Sequence, residues 1–568
     1  MKLDFLNQGI SNVHAAALIL GAAGLLSRVL GVLRDRLLAE RFGAGRELDI
    51  YYAAFQIPDF MSILFMLGAG SAAILPVFQK YLARDQEEGR RLISSITFLF
   101  IAGAVLIASL IFFAASSLVA LIVPGFDDAE QRLTAELTRI LLLSPILLGL
   151  SSIFSAVVQS FERFWAYALA PVLYNLGIIA GIIFFVPAGG VLGLGAGVVL
   201  GALLHFGIQF IAAKRLGFIP KFSLKARLWK KPEKGVAEIM KISFPRVLSI
   251  SLSQLTILIL IAMASTLAAG SIAVFQFAQN LYFLPIGIFA VSYATAIFPR
   301  MSRFYLARDA KEFFNEIFSG IRSTLFWIAP SAALFIVLRA HVVRVALGAG
   351  HFTWEDTRLT AAILAALSIG MVSGSLIALL LRGFYALEKT WRPLAINIIS
   401  SLLSVFFAYF LMMVLRTPGA TGEIFKSFFR VKDLPHPEVI GLALGYMLGT
   451  VINIYFLYTS LINLADKTFG VRFSFPIRPL QKIIAASAAA GLAAYLVRLG
   501  FQGIVPLDTF LRVLFQGVVA AVAGIAAYAA ALFLLRSEDI YELWQSLERR
   551  FLRIGVLPKN WDGEHFKV

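Results

Sequence analysis

Residues 92–123 read LISSITFLFIAGAVLIASLIFFAASSLVALIV, a stretch without a single charged side chain. As a helix it would rise about 48 Å at 1.5 Å per residue, more than the ~30 Å hydrocarbon layer of a bilayer. Lipid offers no partner to an unpaired N–H or C=O, so a segment that crosses it is a helix or part of a closed barrel. The alternation of a barrel strand is missing, which leaves the helix.

Working outward, the same pattern recurs from end to end. Fourteen spans are expected, at about 13–38, 48–80, 92–123, 133–160, 166–187, 190–213, 237–268, 272–300, 315–346, 356–386, 393–415, 439–464, 480–499 and 510–535. The chain of 568 residues is 59% hydrophobic and only 15% charged, with a mean hydropathy of +0.84. The reading is an all-α integral membrane protein. After Lys2 and Asp4 the run from Ala15 leads straight into a full span, so no cleavable leader is expected.

The net charge of +17 would suit a nucleic-acid partner, but its placement does not. Basic residues gather in alternate short links. Lys80, Arg84, Arg90 and Arg91 follow span 2; Lys214, Arg215, Lys221, Lys225, Arg227, Lys230, Lys231, Lys234 and Lys241 follow span 6; Arg300, Arg303, Arg308, Lys311 and Arg322 surround the link after span 8. The link after span 3 instead carries Asp127, Asp128 and Glu130. Positive loops stay in the cytoplasm, so an even span count places both termini there. Residues 221–234 set Phe222, Leu224, Leu228 and Trp229 among lysines. That pattern suits an amphipathic segment on anionic lipid, and equally a plain orientation signal. There is no cysteine, which excludes disulfides, thiolate metal sites and a Cys nucleophile.

An internal repeat organises the spans. Tyr81-Leu82-Ala83-Arg84-Asp85 recurs as Tyr305-Leu306-Ala307-Arg308-Asp309, Arg132-Leu133-Thr134-Ala135 as Arg358-Leu359-Thr360-Ala361, and Pro171-x-x-x-Asn175 as Pro393-x-x-x-Asn397. The offsets are 224, 226 and 222 residues, in the same chain order. One repeat holds six spans, an even number, so both copies share an orientation and meet about an axis along the membrane normal, with a site at their interface. The expected organisation is an N-lobe (1–216), a basic linker (217–236), a C-lobe (237–465), a two-helix hairpin (466–537) and an amphipathic tail (538–568).

Span 1 carries the least affordable residue. Gly24, Arg28, Gly31 and Asp35 fall three to four apart, on one helix face, followed closely by Arg34. Arg28 lies about 20 Å into the apolar run, where an arginine costs roughly 3 kcal/mol unless it faces water, a partner or a ligand. A cation between glycines can be approached by a bulky anion such as a pyrophosphate; it could instead snorkel outward or pair with Asp35 for structure alone. In span 2, Gln56, Pro58, Asp59 and Ser62 suggest either a cavity-lining break or a packing kink. Ser249, Ser251, Ser253 and Gln254 in span 7, and Gln276, Gln279 and Asn280 in span 8, fit a wetted face or ordinary helix packing. Gly193-x-Gly195-x-Gly197 reads as helix packing, and no GxxxxGK[ST] loop for ATP appears. Six scattered histidines show no metal spacing; His205 in span 6 is a packed core residue or a proton relay. No catalytic constellation emerges.

These residues carry a resemblance. Ser27-Arg28-Val29-Leu30-Gly31 with Arg34-Asp35, Phe42-Gly43-Ala44-Gly45, Asp49, Pro58, Pro124-Gly125-Phe126, Ala170-Pro171, Asn175, Ser251-x-Ser253-Gln254, Gly270-Ser271, Pro285, Gly287 and Phe384-Tyr385-Ala386-Leu387 resemble the MurJ (MviN) lipid II flippase family of the multidrug/oligosaccharidyl-lipid/polysaccharide exporter superfamily. The resemblance covers about residues 13–400, with two further spans that match the family's fourteen. It implies two lobes around a cationic cavity for a pyrophosphate, a groove beside spans 13 and 14 for a polyprenyl tail, and flipping driven by membrane potential or an ion gradient rather than ATP. It implies as partners a lipid-linked peptidoglycan precursor and other cell-wall synthesis proteins, in the bacterial inner membrane. Arg28, Arg34 and Asp35 match cavity positions of the family directly.

The chain also departs from that pattern. Where the family usually places arginines in spans 2 and 8, this sequence has Ser62 and Asn280; the acid before Gly68 is Leu67. Arg246 and Arg382 could supply replacement charge. The alternatives are therefore an exporter of the same superfamily with another polyprenyl-linked saccharide or a drug as cargo, and a non-transporting scaffold.

Overall fold

The structure, a computed structural model, describes residues 13–69, 71–220, 234–434, 436–471, 475–501 and 509–547. The basic amphipathic segment 221–233 and the tail beyond 547 lie outside the described residues. Span 1 is α1 (Val13–Phe42); span 2 is two helices, α2 (Arg46–Ala69) and α3 (Ser71–Leu82); span 3 is α4 (Gln86–Ile122). Span 4 is likewise divided into α5 (Asp128–Leu141) and α6 (Leu143–Ser160). Span 5 is α7 (Phe164–Ala180), a π-turn (Gly181–Phe185) and the first residues of α8 (Val186–Arg215), and span 6 is the rest of α8.

The second copy follows the same order. Span 7 is α9 (Lys234–Ser265); span 8 is α10 (Ser271–Pro285), a π-turn (Ile286–Ala290) and α11 (Val291–Leu306). Span 9 is α12 (Ala310–Val337) with α13 (Arg339–Leu347), and span 10 is α14 (Trp354–Ile369) with α15 (Met371–Ala386). Spans 11 and 12 are α16 (Trp391–Arg416) and α18 (Val439–Phe469), with the short α17 (Ala420–Phe429) between them. The hairpin is α19 (Ile477–Gly500) and α20 (Phe510–Leu534), followed by α21 (Glu538–Leu547).

Among the described residues nine stretches are long and apolar enough to cross a bilayer alone, and the bent pair α14–α15 makes a tenth. One of the nine, Phe164–Arg215, has 52 residues, about 78 Å if straight and far more than one crossing. It holds two spans. Gly190 sits at φ 53 and ψ −135 and turns the chain back, so a Cβ on Gly177 would overlap the Gly201 backbone, and one on Gly181 the Gly197 backbone. The glycine series of span 6 is thus a helix-packing surface, as its sequence suggested. The three other expected spans, α1, α2–α3 and α9, are the helices that line the cavities described below. Phe113 and Leu121 on α4 are 83% and 76% exposed, a cost in water that disappears against acyl chains.

The repeat recurs in local structure. Span 4 opens on a capping box between Asp127 and Glu130, and span 10 on one between Thr353 and Asp356, each closing two orphan amides of the first turn. Both spans break at the corresponding place: α5 gives way to α6 at Leu142, and α14 bends into α15 by 46° at Gly370. Asp85 and Asp309, which end the repeated pentapeptide, are the residues before α4 and α12. The links after odd-numbered spans define one face of the molecule, called here the Asp127 face; the opposite one is the Lys80 face.

Candidate functional site

On the Asp127 face the two copies are clasped together. Asp49, buried at the start of α2, accepts hydrogen bonds from the amides of Gly270 (2.6 Å) and Ala273 (2.9 Å) at the head of α10. A carboxylate from one lobe thus caps a helix of the other, where the helix dipole favours negative charge. Gly270 has φ +88 and packs on the carbonyl of Ala44 so closely that no side chain fits. The amide of His351 donates to Glu40 (3.0 Å), Arg36 donates to Val345 (2.8 Å), and Gly125 donates to Ser265 Oγ (3.2 Å). Each of these contacts joins residues of different lobes. The face is sealed.

Deeper in, α1 meets span 8 through its charged face. The Val291 amide bonds to Ile286 in the π-turn rather than to Gly287, and the Gly287 carbonyl accepts from Arg28 Nη2 at 2.7 Å. One face-turn on, Asp35 is buried, 7% exposed as a residue. It accepts from Arg34 Nη2 (2.7 Å) and Nε (3.0 Å) on one oxygen and from Asn280 Nδ2 (3.0 Å) on the other. Arg34 also reaches Asn175 Oδ1 (3.3 Å), whose amide nitrogen in turn bonds Ser27. Gln276 donates to Asn280 (3.4 Å). The result is a polar chain from α7 through α1 to α10, and a buried ion pair of this kind persists only when its remaining hydrogen-bonding capacity is filled.

That chain borders a cavity of about 130 Å³ whose walls include Arg34, Asp35, Tyr51, Gln56 and Asp59 from the first lobe and Asn280 from the second. A larger cavity, about 320 Å³, lies within the second lobe between α9, α10, α15, α16 and α18. Its polar wall is uncharged: Tyr282, Tyr385, Tyr446, Asn397 and Asn453, with serine and threonine hydroxyls. Asn397 and Asn175 hold the same repeat position and both sit in polar networks, the former accepting from Asn453 (3.0 Å).

The sequence-derived candidates divide accordingly. Arg28, Arg34, Asp35 and Asn280 come together at the seam. Gly31 abuts Asn175, while Gly24 faces open space. Ser62 turns its hydroxyl back onto the Pro58 carbonyl (3.0 Å), a local bond within α2, and it is not on the wall of the 130 Å³ cavity. Gln254 lines neither cavity, although its neighbours Ser253 and Thr256 line the larger one. Arg382 bonds Thr295 (2.9 Å) within the second lobe and lines neither cavity; the side chain of Arg246 lies outside the described residues. His205 is bonded to Ser151 (2.7 Å) inside the first lobe. Tyr51, Tyr52 and Tyr174 also line the smaller cavity; in the sequence they look like ordinary apolar filling. Among the described residues no group of three His, Asp or Glu side chains could hold a metal ion.

Two lobes sealed on one face, with a charged helix at the seam and polar cavities beside it, define a two-lobed membrane carrier. The fold agrees with solved structures of that class. A "Lipid II flippase MurJ, inward closed conformation" superposes with TM-score 0.70 at 24% identity, covering 93% of this chain and all of that one. An inward-facing multidrug resistance MATE family transporter of the MOP superfamily gives 0.62 at 17% identity over 78% of this chain and 96% of that one.

A family model described as "Lipid II flippase MurJ" matches residues 38–422, and the chain belongs to that family. The "Probable lipid II flippase MurJ" of Haemophilus influenzae is 28% identical over 531 residues, 90% of this chain and 98% of that protein. The Thermotoga maritima protein of the same description is 26% identical over 521 residues, covering 91% and 95%. The "Lipid II flippase MurJ" of Burkholderia cenocepacia is 28% identical over 393 residues, covering 68% and 76%.

Proposed function

We propose that this protein carries lipid II, the undecaprenyl-pyrophosphate-linked peptidoglycan precursor, from the inner to the outer leaflet of the bacterial cytoplasmic membrane by alternating access. Both termini are cytoplasmic and the Asp127 face points outward. The observation that carries the reading is the bridge of Arg28 and Asp35 from α1 to span 8. Among the described residues one of the five guanidinium donors of Arg28 is spent, on Gly287, so the group can receive a phosphate while the lobes re-form around it.

The cycle is a translocation with no bond made or broken. An anionic head enters from the Lys80 face while the Asp127 face is sealed, neutralises the cationic side of the seam, and weakens the hold of α1 on α10. Opening the Asp49, Glu40 and Gly125 contacts then releases the head outward. With the interior negative, each negative charge moved outward gains roughly 2.3 kcal/mol per 100 mV, so membrane potential alone can bias the direction without ATP. An exporter of another polyprenyl-linked saccharide is the second reading, favoured by Ser62 and Asn280 where the resemblance implies arginines.

The test is expression in cells depleted of their own lipid II flippase, with lipid II assayed at the outer leaflet. Rescue of growth and of outward lipid II is expected. A membrane-inserted, stable chain that restores neither would overturn lipid II as cargo.

A further inference from the structure

Three arginines gather on the Asp127 face of the second lobe, at the junction of α13, α17 and α19. Arg339 opens α13 and donates from Nη2 to the Phe429 carbonyl (3.3 Å), at the end of α17. Arg430, the next residue, stands in the left-handed region at φ 58 with its side chain exposed. Arg498, near the end of α19, donates from Nη1 to the Val337 carbonyl (3.2 Å), two residues before Arg339. The anchors are adjacent stretches of backbone, and the three like charges act on one another.

Like charges held this close destabilise the site unless an anion joins them. Among the described residues none does. Asp433 is committed to Arg358 (2.6 Å), Glu423 to Lys426 and Lys432, and Glu438 to His436. Positive charge on this face also runs against the loop asymmetry that orients the chain. The spare donors of three guanidiniums suit the tetrahedral oxygens of a phosphate. At the end of a span they sit at headgroup depth.

We propose that Arg339, Arg430 and Arg498 form an anion site on the Asp127 face that binds the phosphate ester of a lipid head in that leaflet. It is separate from the seam at Arg28 and does not depend on the identity of the carried cargo. The α17 insert supplies one wall, and through it lipid at this face bears on the link between spans 11 and 12.

The experiment uses the full chain in detergent, titrated with dioleoyl phosphatidylglycerol and followed by native mass spectrometry, with the doubly substituted Arg430→Asn/Arg498→Gln variant alongside. Lys432→Gln, which removes one charge from the same insert outside the cluster, is the control, and melting in lipid-free detergent checks the fold. The wild type and the control are expected to retain at least one more lipid than the double variant, with affinity at least fivefold higher. A parallel arm adds inorganic phosphate against chloride at constant ionic strength and reads the melting shift. A shift in that arm alone, lost in the double variant, would assign the site to free phosphate and overturn the lipid head. Equal lipid retention and equal melting in all three proteins would overturn the site itself.

Discussion

Arg28 shows what a sequence can and cannot say about one residue. Its depth in the apolar run and the glycines around it were legible, because a helix of known rise places it. Its partner was not: Gly287 lies 259 residues away, and its availability depends on a π-turn with no sequence signature. The same holds for Asp49, whose role as a cap on the other lobe depends on Gly270, 221 residues distant. Substitution separates the two readings of Arg28. Arg28→Ala should abolish outward lipid II transport. Arg28→Lys keeps the charge and one donor for Gly287 but loses the planar fork, so transport should fall about tenfold or more, on the scale of one charge-assisted hydrogen bond at ~1.5–3 kcal/mol. Full transport by the alanine variant would show that Arg28 receives no cargo phosphate.

At the scale of elements, the apolar runs that bound the link between spans 11 and 12 were legible, and that link folds into α17. What holds it was not. Arg358, the fifth residue of α14, grips Asp433 through two guanidinium nitrogens and the Arg430 carbonyl through one of them (2.7 Å). Those bonds from Arg358 hold the Asp433 carboxyl down at about 2, against roughly 3.9 in an unfolded chain. A carboxyl lowered by folding contributes fully above its unfolded value and loses that contribution as pH falls toward its folded one. The insert should therefore stay pinned above about pH 4 and loosen between there and about pH 2. Hydrogen exchange of amides 423–431, corrected for the intrinsic rate at each pH, checks this. Asp433→Asn should exchange at neutral pH as the wild type does in acid; protection unchanged in the variant would show that α17 is held by other contacts. The repeat belongs to this scale too. Its three short matches predicted twin lobes, and the paired capping boxes and paired breaks at Leu142 and Gly370 carry that symmetry into structure. The tyrosine walls escaped notice because a tyrosine in a helix face looks the same whether it packs or lines a cavity.

For the whole molecule, the span count and the parallel repeat sufficed for two lobes facing each other across an axis along the membrane normal. Which face is sealed depends on contacts such as Asp49–Gly270, Glu40–His351 and Gly125–Ser265, all long-range, and these carry the account of transport. If the lobes must part on the Asp127 face for the cargo to leave, fastening that face must stop the cycle. The chain has no cysteine, so a single engineered pair is unambiguous. Glu40 and His351 are both exposed and adjoin across the seam, with the amide–carbonyl bond at 3.0 Å. The decisive measurement is outward lipid II flux in the Glu40→Cys/His351→Cys protein, oxidised and then reduced, in cells that depend on it. Flux should vanish while the disulfide is closed and return on reduction, whereas undiminished flux with the bridge fully formed would contradict alternating access at this seam.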